Sequence, residues 1–189
     1  MNTTDTLGPV IESERLSMRS LSAADEAFYC SLYSDANVMR FVGAPLSDDR
    51  ALDAVRKSLE LMSGPSFERR VVVLIDRKTN EPLGISSIRI VDSERGRAEV
   101  GTLLKPGAHE QGFAQECSTA LITQAFSRPQ ISELIAHSAN DNKAIDGLLT
   151  DLGFSRGRKL SAKDGRPARV VWTLTRDAWS KRCARVKTK

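Results

Sequence analysis

His109-Glu110-Gln111-Gly112-Phe113-Ala114-Gln115 stands between two runs of different period. Before it, Val100 to Leu104 is apolar and strand-like, closed by Pro106 and Gly107. After it, Ala114 to Phe126 repeats at three and four, the spacing of an amphipathic helix. A strand, a loop of small residues and a helix make an anion site. The first backbone N–H groups of a helix have no internal partner, and the macrodipole adds partial positive charge there. Gly112 at the bend allows an unusual φ, and Gly112 with Ala114 lets a phosphate approach the main chain. A glycine and an alanine one residue apart are a weak signal alone. The flanking strand and helix are what give it weight.

Upstream, Arg15 to Leu21 alternates with a period of two, which predicts a half-buried first strand. Ser22 then reads as a helix N-cap, with Phe28, Leu32, Tyr29 and Tyr33 at helical spacing before a stop near Ser34-Asp35-Ala36-Asn37. A loop carries Met39, Phe41 and Pro45. Ser47 opens a second helix through Ala51, Val55, Leu59 and Met62, stopped at Gly64-Pro65. Phe67 to Asp76 and Leu83 to Val91 form the clearest hairpin, and Arg97 to Leu104 extends it as a meander. Downstream, Pro129 ends the helix after the loop and Glu133 to Ser138 is a short strand. The caps at 140–142 open a helix through Ile145, Leu148, Leu149 and Leu152, stopped by Gly153. Phase-two strands from Phe154 and over Arg169 to Leu174 follow, joined at Asp164-Gly165. The order β-α-α-β-β-β-α-β-α-β-β predicts an α/β protein of the mixed-sheet (α+β) kind, with six to seven strands and helices on both faces.

At 189 residues, one domain spanning the chain is the expectation, with residues 1–10 a loose terminus and 176–189 a basic, solvated tail. A net charge of +4 is too modest to require a polyanionic partner, and binding to nucleic acid would rest on that tail alone. Three scattered cysteines and no Cys/His cluster give neither a disulfide framework nor a metal site, so no metal is expected. Free thiols, and no apolar run long enough to span a bilayer, fit a cytoplasmic protein without a membrane partner.

Four segments, in order, make the chain resemble the GNAT superfamily of acetyl-CoA-dependent N-acetyltransferases. Its nearest likeness is the branch of the ribosomal-protein N-terminal acetyltransferases. Glu14-Arg15-Leu16-Ser17-Met18-Arg19 is similar to that branch's opening strand, and Asp35 to Phe41 to its first interhelical segment. His109 to Ala114 is similar to the family's pyrophosphate loop, and Asn142 to Phe154 to its last core helix. The resemblance implies that the fourth and fifth strands splay and that the thioester arm of acetyl-CoA enters the gap. The arm would pair with exposed backbone of the fourth strand near Leu103 and Leu104. Backbone from Gln111 through Gly112, Phe113 and Ala114 to Gln115 would hold the pyrophosphate. The amine would attack directly in a ternary complex, so no nucleophilic Ser or Cys is needed.

The same resemblance singles out Glu99, at the start of the fourth strand, where relatives keep a carboxylate that assists amine deprotonation. An acidic residue at a strand entrance is also ordinary. A single modest carboxylate suits an α-amine, near pKa 8, better than a lysine-type amine near 10.4. His109 stands where the family has Gln or Arg. It is either a phosphate donor or an exposed loop residue. Asn142 either touches the cofactor arm or simply caps its helix. Ile145 replaces a frequent Ser, and Tyr29 and Tyr33, the only tyrosines, lie far from the last core helix. The general acid is therefore unassigned, and the leaving thiolate takes its proton from solvent. Two functions follow. One is acetyl transfer to a small-molecule amine or a protein N-terminus by a monomer or homodimer. The other is a non-catalytic acyl-CoA sensor of the same fold.

Overall fold

A computed structural model of the chain describes residues 10–64, 68–163 and 166–187. Its centre is one eight-stranded mixed sheet. The strands are β1 (Ile11–Glu12), β2 (Leu16–Ser20), β3 (Arg69–Asp76), β4 (Pro82–Asp92), β5 (Arg97–Leu104), β6 (Glu133–Ala139), β7 (Ser155–Leu160) and β8 (Arg169–Thr175). They lie in the order β1-β2-β3-β4-β5-β6-β8-β7. Every pairing is antiparallel except β5 with β6, whose connection is a helical crossover. The eighth strand is the two-residue β1, which adds to β2 at the edge and is too short to leave a period in the sequence. The expected fourth and fifth strands are thus β5 and β6. Phe67 at the expected strand start, Pro65 at the helix stop, the Asp164-Gly165 turn and most of the N-terminus lie outside the described residues.

Helices cover both faces. On one, α1 (Glu26–Ser34), α2 (Ala36–Met39) and α3 (Asp48–Ser63) pack Tyr29, Leu32, Val38 and Val55 onto Val71, Val73 and Ile85. On the other, α4 (Phe113–Phe126) and α5 (Lys143–Asp151) pack Phe113, Cys117, Leu121 and Leu149 onto Leu16, Val72, Ile88 and Ala98. The central strands are therefore apolar on both sides, and Val71 to Leu74 are fully buried. Gly84 of β4 lies where any side chain would overlap the Leu103 carbonyl, so β4 and β5 approach closely there.

Two stretches differ from the sequence expectation. Residues 36–39 form α2, a single turn within the segment between the two expected helices. The Asp35 carboxylate accepts from the N–H groups of Asn37 and Val38 and caps it. Second, Arg176–Lys187 is not a solvated tail but a helix, α6. Its Trp179 is 4% exposed within the α4/α5-side core. Arg176 donates to the carbonyls of Phe126, Arg128 and Ile131, where α4 ends. The run of basic residues concealed this, because one tryptophan and two arginines, rather than an apolar stripe, attach the helix.

Candidate active site

β5 and β6 pair only through Arg97 with Glu133, Ala98 with Leu134 and Glu99 with Ile135. Beyond that row β5 runs on to Leu104 and β6 to Ala139 with no pairing between them among the described residues, while β4 and β8 keep their outer edges. The sheet opens into a fork at its centre. Main-chain groups of Val100 to Leu104 on that edge face a gap, and an extended ligand carrying amides can pair there. Leu103 and Leu104 lie on this edge as expected. Alternation sorts the side chains: Ala98, Val100 and Leu104 pack toward α4, so Glu99, Gly101 and Leu103 face the α1/α3 side. By the same rule His137 faces that side from β6, since Leu134 and Ala136 face α4. Gly101 and His137 are therefore the first residues on this face of the two arms beyond the last paired row. A Cβ on Gly101 would have nothing within 4 Å.

At its far end β5 leads through a 3-10 turn (Pro106–Ala108) into the loop and α4. Gly112 is the N-cap with φ 80° and ψ −2°, a left-handed conformation that only glycine takes freely. Glu110, also left-handed at φ 58°, adds strain to the same bend. The N–H groups of Phe113, Ala114 and Gln115 open the helix, as an anion site needs. Arg15 of the β1–β2 bend braces the loop, with its charge paired to Glu116. Its Nε meets Glu116 Oε2 at 2.7 Å, its Nη1 donates to the Gln111 carbonyl at 2.8 Å, and its guanidinium lies over the Phe113 ring at 4.6 Å. Nη2 stands 3.3 Å from where a Gly112 Cβ would be, so the guanidinium rests against the bend. Glu116 is partly buried, yet the Arg15 N–H, the Ser13 hydroxyl and the Arg15 guanidinium keep its carboxyl below the ordinary range. A left-handed glycine under a fixed guanidinium fits a diphosphate.

His109 does not point along the loop. Its Nε2 lies 3.1 Å from the Leu104 carbonyl and ties the loop to the end of β5. The Gln111 side chain turns back to donate to the Gly107 carbonyl at 2.6 Å, leaving its main chain to the loop. Asn142 is the N-cap of α5, with Oδ1 accepting from Ile145 N–H at 3.3 Å. Tyr29 is core, 2% exposed and stacked on Tyr33 at 4.6 Å. Burial and the neighbouring Tyr29 push the Tyr33 phenol up, so it stays neutral. Burial pushes the Cys117 thiol up to about 11, which makes it no nucleophile at neutral pH.

The fork head is charged. Glu99 Oε2 accepts from Arg89 Nη2 at 2.6 Å, and Glu99 Oε1 stands 3.6 Å from His137 Nδ1. At 3.6 Å this is a charge contact slightly too long for a hydrogen bond. The His137 imidazole is the largest cause holding the Glu99 carboxyl below the carboxylate range; partial burial opposes it and Arg89 adds to it. Cross-strand register puts Arg69 of β3 beside Arg89, on the same face as Glu99. The Arg69 Nε is buried and without a hydrogen-bond partner among the described residues.

Residues 15–155 match the family model described as an acetyltransferase (GNAT) domain. The chain belongs to the GNAT acetyltransferase family. It is an acyltransferase by that membership. An N-acetyltransferase of Bacillus licheniformis named p20 is 26% identical over 84% of this chain and 89% of its own length. Among solved structures, spermidine N-acetyltransferase of Vibrio cholerae, in complex with CoA and spermine, aligns with a TM-score of 0.76 at 18% identity. That alignment covers 89% of this chain and 99% of the other. An acetyltransferase of Salmonella typhimurium, which modifies the N-terminal serine of ribosomal protein L7/L12, aligns at 0.75 and 17% identity over 88% and 99%. At such identities these two share the fold. GNAT neighbours thus include both polyamine and protein N-terminal enzymes, and the branch is not decided by likeness.

The glycine bend before α4 was legible in sequence, and the family resemblance singled out Glu99. Arg15, Gly101 and His137 were not. Gly101 carried a usable signal, since a glycine inside a strand marks a close approach by something else. Arg15 is brought to the loop by the first strand, 96 residues away from Gln111 in sequence. His137 meets Glu99 only because β5 and β6 are neighbours.

Proposed function

We propose that this acyltransferase moves an acetyl group from acetyl-CoA directly to a primary amine in a ternary complex. The unpaired β5 edge running from Glu99 to the Gly112 bend carries the reading. It offers backbone to an extended amide-bearing arm and a fixed positive bend to the diphosphate at the arm's end. Leu103 and Leu104 lie on that edge. Gln111, Phe113, Ala114 and Gln115 supply the loop's main chain. His109 acts there by holding the loop to Leu104, and Asn142 by starting α5 with its amide nitrogen left for the arm. Acetyl-CoA supplies an activated acyl group on a good leaving thiolate. Glu99 and His137 are the groups at the fork head that handle the amine's proton.

Among acceptors, an α-amine on a peptide or small molecule fits better than a polyamine. On the α1/α3 face of the sheet the carboxylates of Glu99 and Glu133 are already paired, with Arg89 and Arg97, and Arg69 stands beside Arg89. A polycation approaching the fork head meets three arginines and two carboxylates already engaged. The test is thiol release with a panel containing spermidine, simple amines and peptides with free N-termini. Peptides or single α-amines are expected to exceed spermidine by tenfold or more in kcat/KM, about 1.4 kcal/mol. Spermidine turning over fastest would refute the acceptor assignment, and no thiol release from any amine would refute the activity.

Gly101→Val gives a second check. The side chain has room in the folded protein, and replacing a strand glycine removes a cost of about 0.5–1 kcal/mol. It also projects into the fork opposite His137. Turnover is expected to fall by about 100-fold or more while the melting temperature holds or rises. Normal turnover in that variant would place the reaction elsewhere.

A further inference from the structure

We infer that His137 is the group that takes the proton from the acceptor amine, with Glu99 and Arg89 as its positioning residues. The inference rests on the acetyl-transfer reading above. Three features of the fork head carry it. His137 stands on β6 two residues past the last β5–β6 pair, the first on that face of the sheet, across the gap from the bare Gly101. Its Nδ1 is buried, has no hydrogen-bond partner among the described residues, and faces Glu99 Oε1 at 3.6 Å. Its Nε2 makes no hydrogen bond within the described residues, and the side chain is 21% exposed. A proton on Nδ1, facing the carboxylate, leaves the Nε2 lone pair free, and the remaining few tenths of an ångström close readily on substrate binding.

Glu99 is the poorer acceptor. One of its oxygens is held by Arg89 at 2.6 Å and the other faces the imidazole. A carboxylate so engaged is stabilised as an anion, as its lowered pKa reflects. Ordinary imidazole, near 6.5, is also closer than ordinary carboxylate, near 4, to an α-amine near 8. In the step, an N–H bond of the ammonium breaks, its electron pair stays on nitrogen and the proton goes to Nε2. The Glu99 carboxylate stabilises the resulting imidazolium, which returns the proton to solvent. Other charges on this face are Arg97 of β5, paired with Glu133 of β6 at 2.5 Å, Arg89 of β4, Arg69 of β3 and Arg169 of β8, two residues along from Val171, the cross-strand neighbour of His137. Tyr33 of α1 stays neutral. Asp146 and Arg156 lie across the sheet, bound to Ser138 and stacked on Trp172.

The experiment is the pH dependence of kcat/KM for wild type, His137→Gln and Glu99→Gln with the best amine of the panel, beside calorimetric CoA binding. His137→Gln is expected to lose about 10²–10⁴-fold at pH 7 and to recover at high pH, where the amine deprotonates unaided. Its CoA affinity should stay within twofold. Added imidazole should raise the rate of His137→Gly. Glu99→Gln should lose roughly tenfold and keep its acid limb, moved about one pH unit lower because the neighbouring negative charge is gone. If His137→Gln turns over within threefold of wild type, or Glu99→Gln alone abolishes the acid limb, the inference is overturned. Normal CoA binding without imidazole rescue would make His137 structural and overturn it too. A wild type that binds CoA yet acetylates nothing would instead remove the acetyl-transfer reading, and this inference with it.

Discussion

Gly112→Val is expected to weaken CoA binding by about 100-fold while the protein still folds. The affinity figure corresponds to the loss of one or two charge-assisted hydrogen bonds at about 1.5–3 kcal/mol each. Gly112 holds φ 80°, and a β-branched residue forced there adds strain of about 1–2 kcal/mol. The chain has two ways to respond, and both harm the site. If the bend persists, the new Cβ sits 3.3 Å from Arg15 Nη2 and its branches occupy the phosphate's place. If the bend relaxes, the first N–H groups of α4 turn away and Gln111 loses its hold on Arg15. The stability loss alone corresponds to a fall of roughly 2–8 °C in melting temperature. Calorimetry with CoA and a thermal melt separate the two effects. CoA binding at wild-type affinity in a folded variant would show that the bend does not hold the diphosphate.

Trp179→Ala is expected to destabilise the protein by about 3–5 kcal/mol, a drop of roughly 6–20 °C in melting temperature. That is a large share of the 5–15 kcal/mol typical of a domain. Trp179 is 4% exposed, with Leu174 and Cys183 in the same cluster and the Arg182 guanidinium 5.6 Å over its ring. Arg182 in turn donates to the Asp151 carbonyl at the end of α5, so the cavity would loosen two helices. The fork lies elsewhere, so CoA affinity of the folded variant should be unchanged. Lys181→Ala serves as the control. Its pair with Asp177 is exposed on the same helix, and such pairs contribute little. Equal melting temperatures for the two variants would mean that α6 does not belong to the core.

The unbroken apolar run of Val71 to Ile75, the turn at 78–81 and the helical spacing of Leu121, Ile122 and Ala125 are local patterns. Each depends on neighbours within a turn or a strand, so the elements and the mixed sheet could be read in order. α6 escaped because its attachment is long-range: Arg176 reaches Arg128, 48 positions earlier, and only folding brings them together. The loop at Gly112 was legible for the same reason that the strands were. Its glycine, its helix and its preceding strand are contiguous, and the chemistry of a helix start needs no distant partner.

The fork head is the opposite case. Glu99, Arg89 and His137 come from three strands, and the parallel pairing of β5 with β6 is what aligns the first with the last. A histidine in a short strand has no pattern that distinguishes a buried spacer from a group facing a carboxylate. Sequence by itself determined the elements, the sheet's mixed character and the glycine bend that opens α4, because those follow from backbone geometry and periodicity over a few residues. Tertiary structure alone decided which charges meet at the parting of β5 and β6, because electrostatic contacts act across space and the register that sets those distances is fixed only when the two buried faces pack.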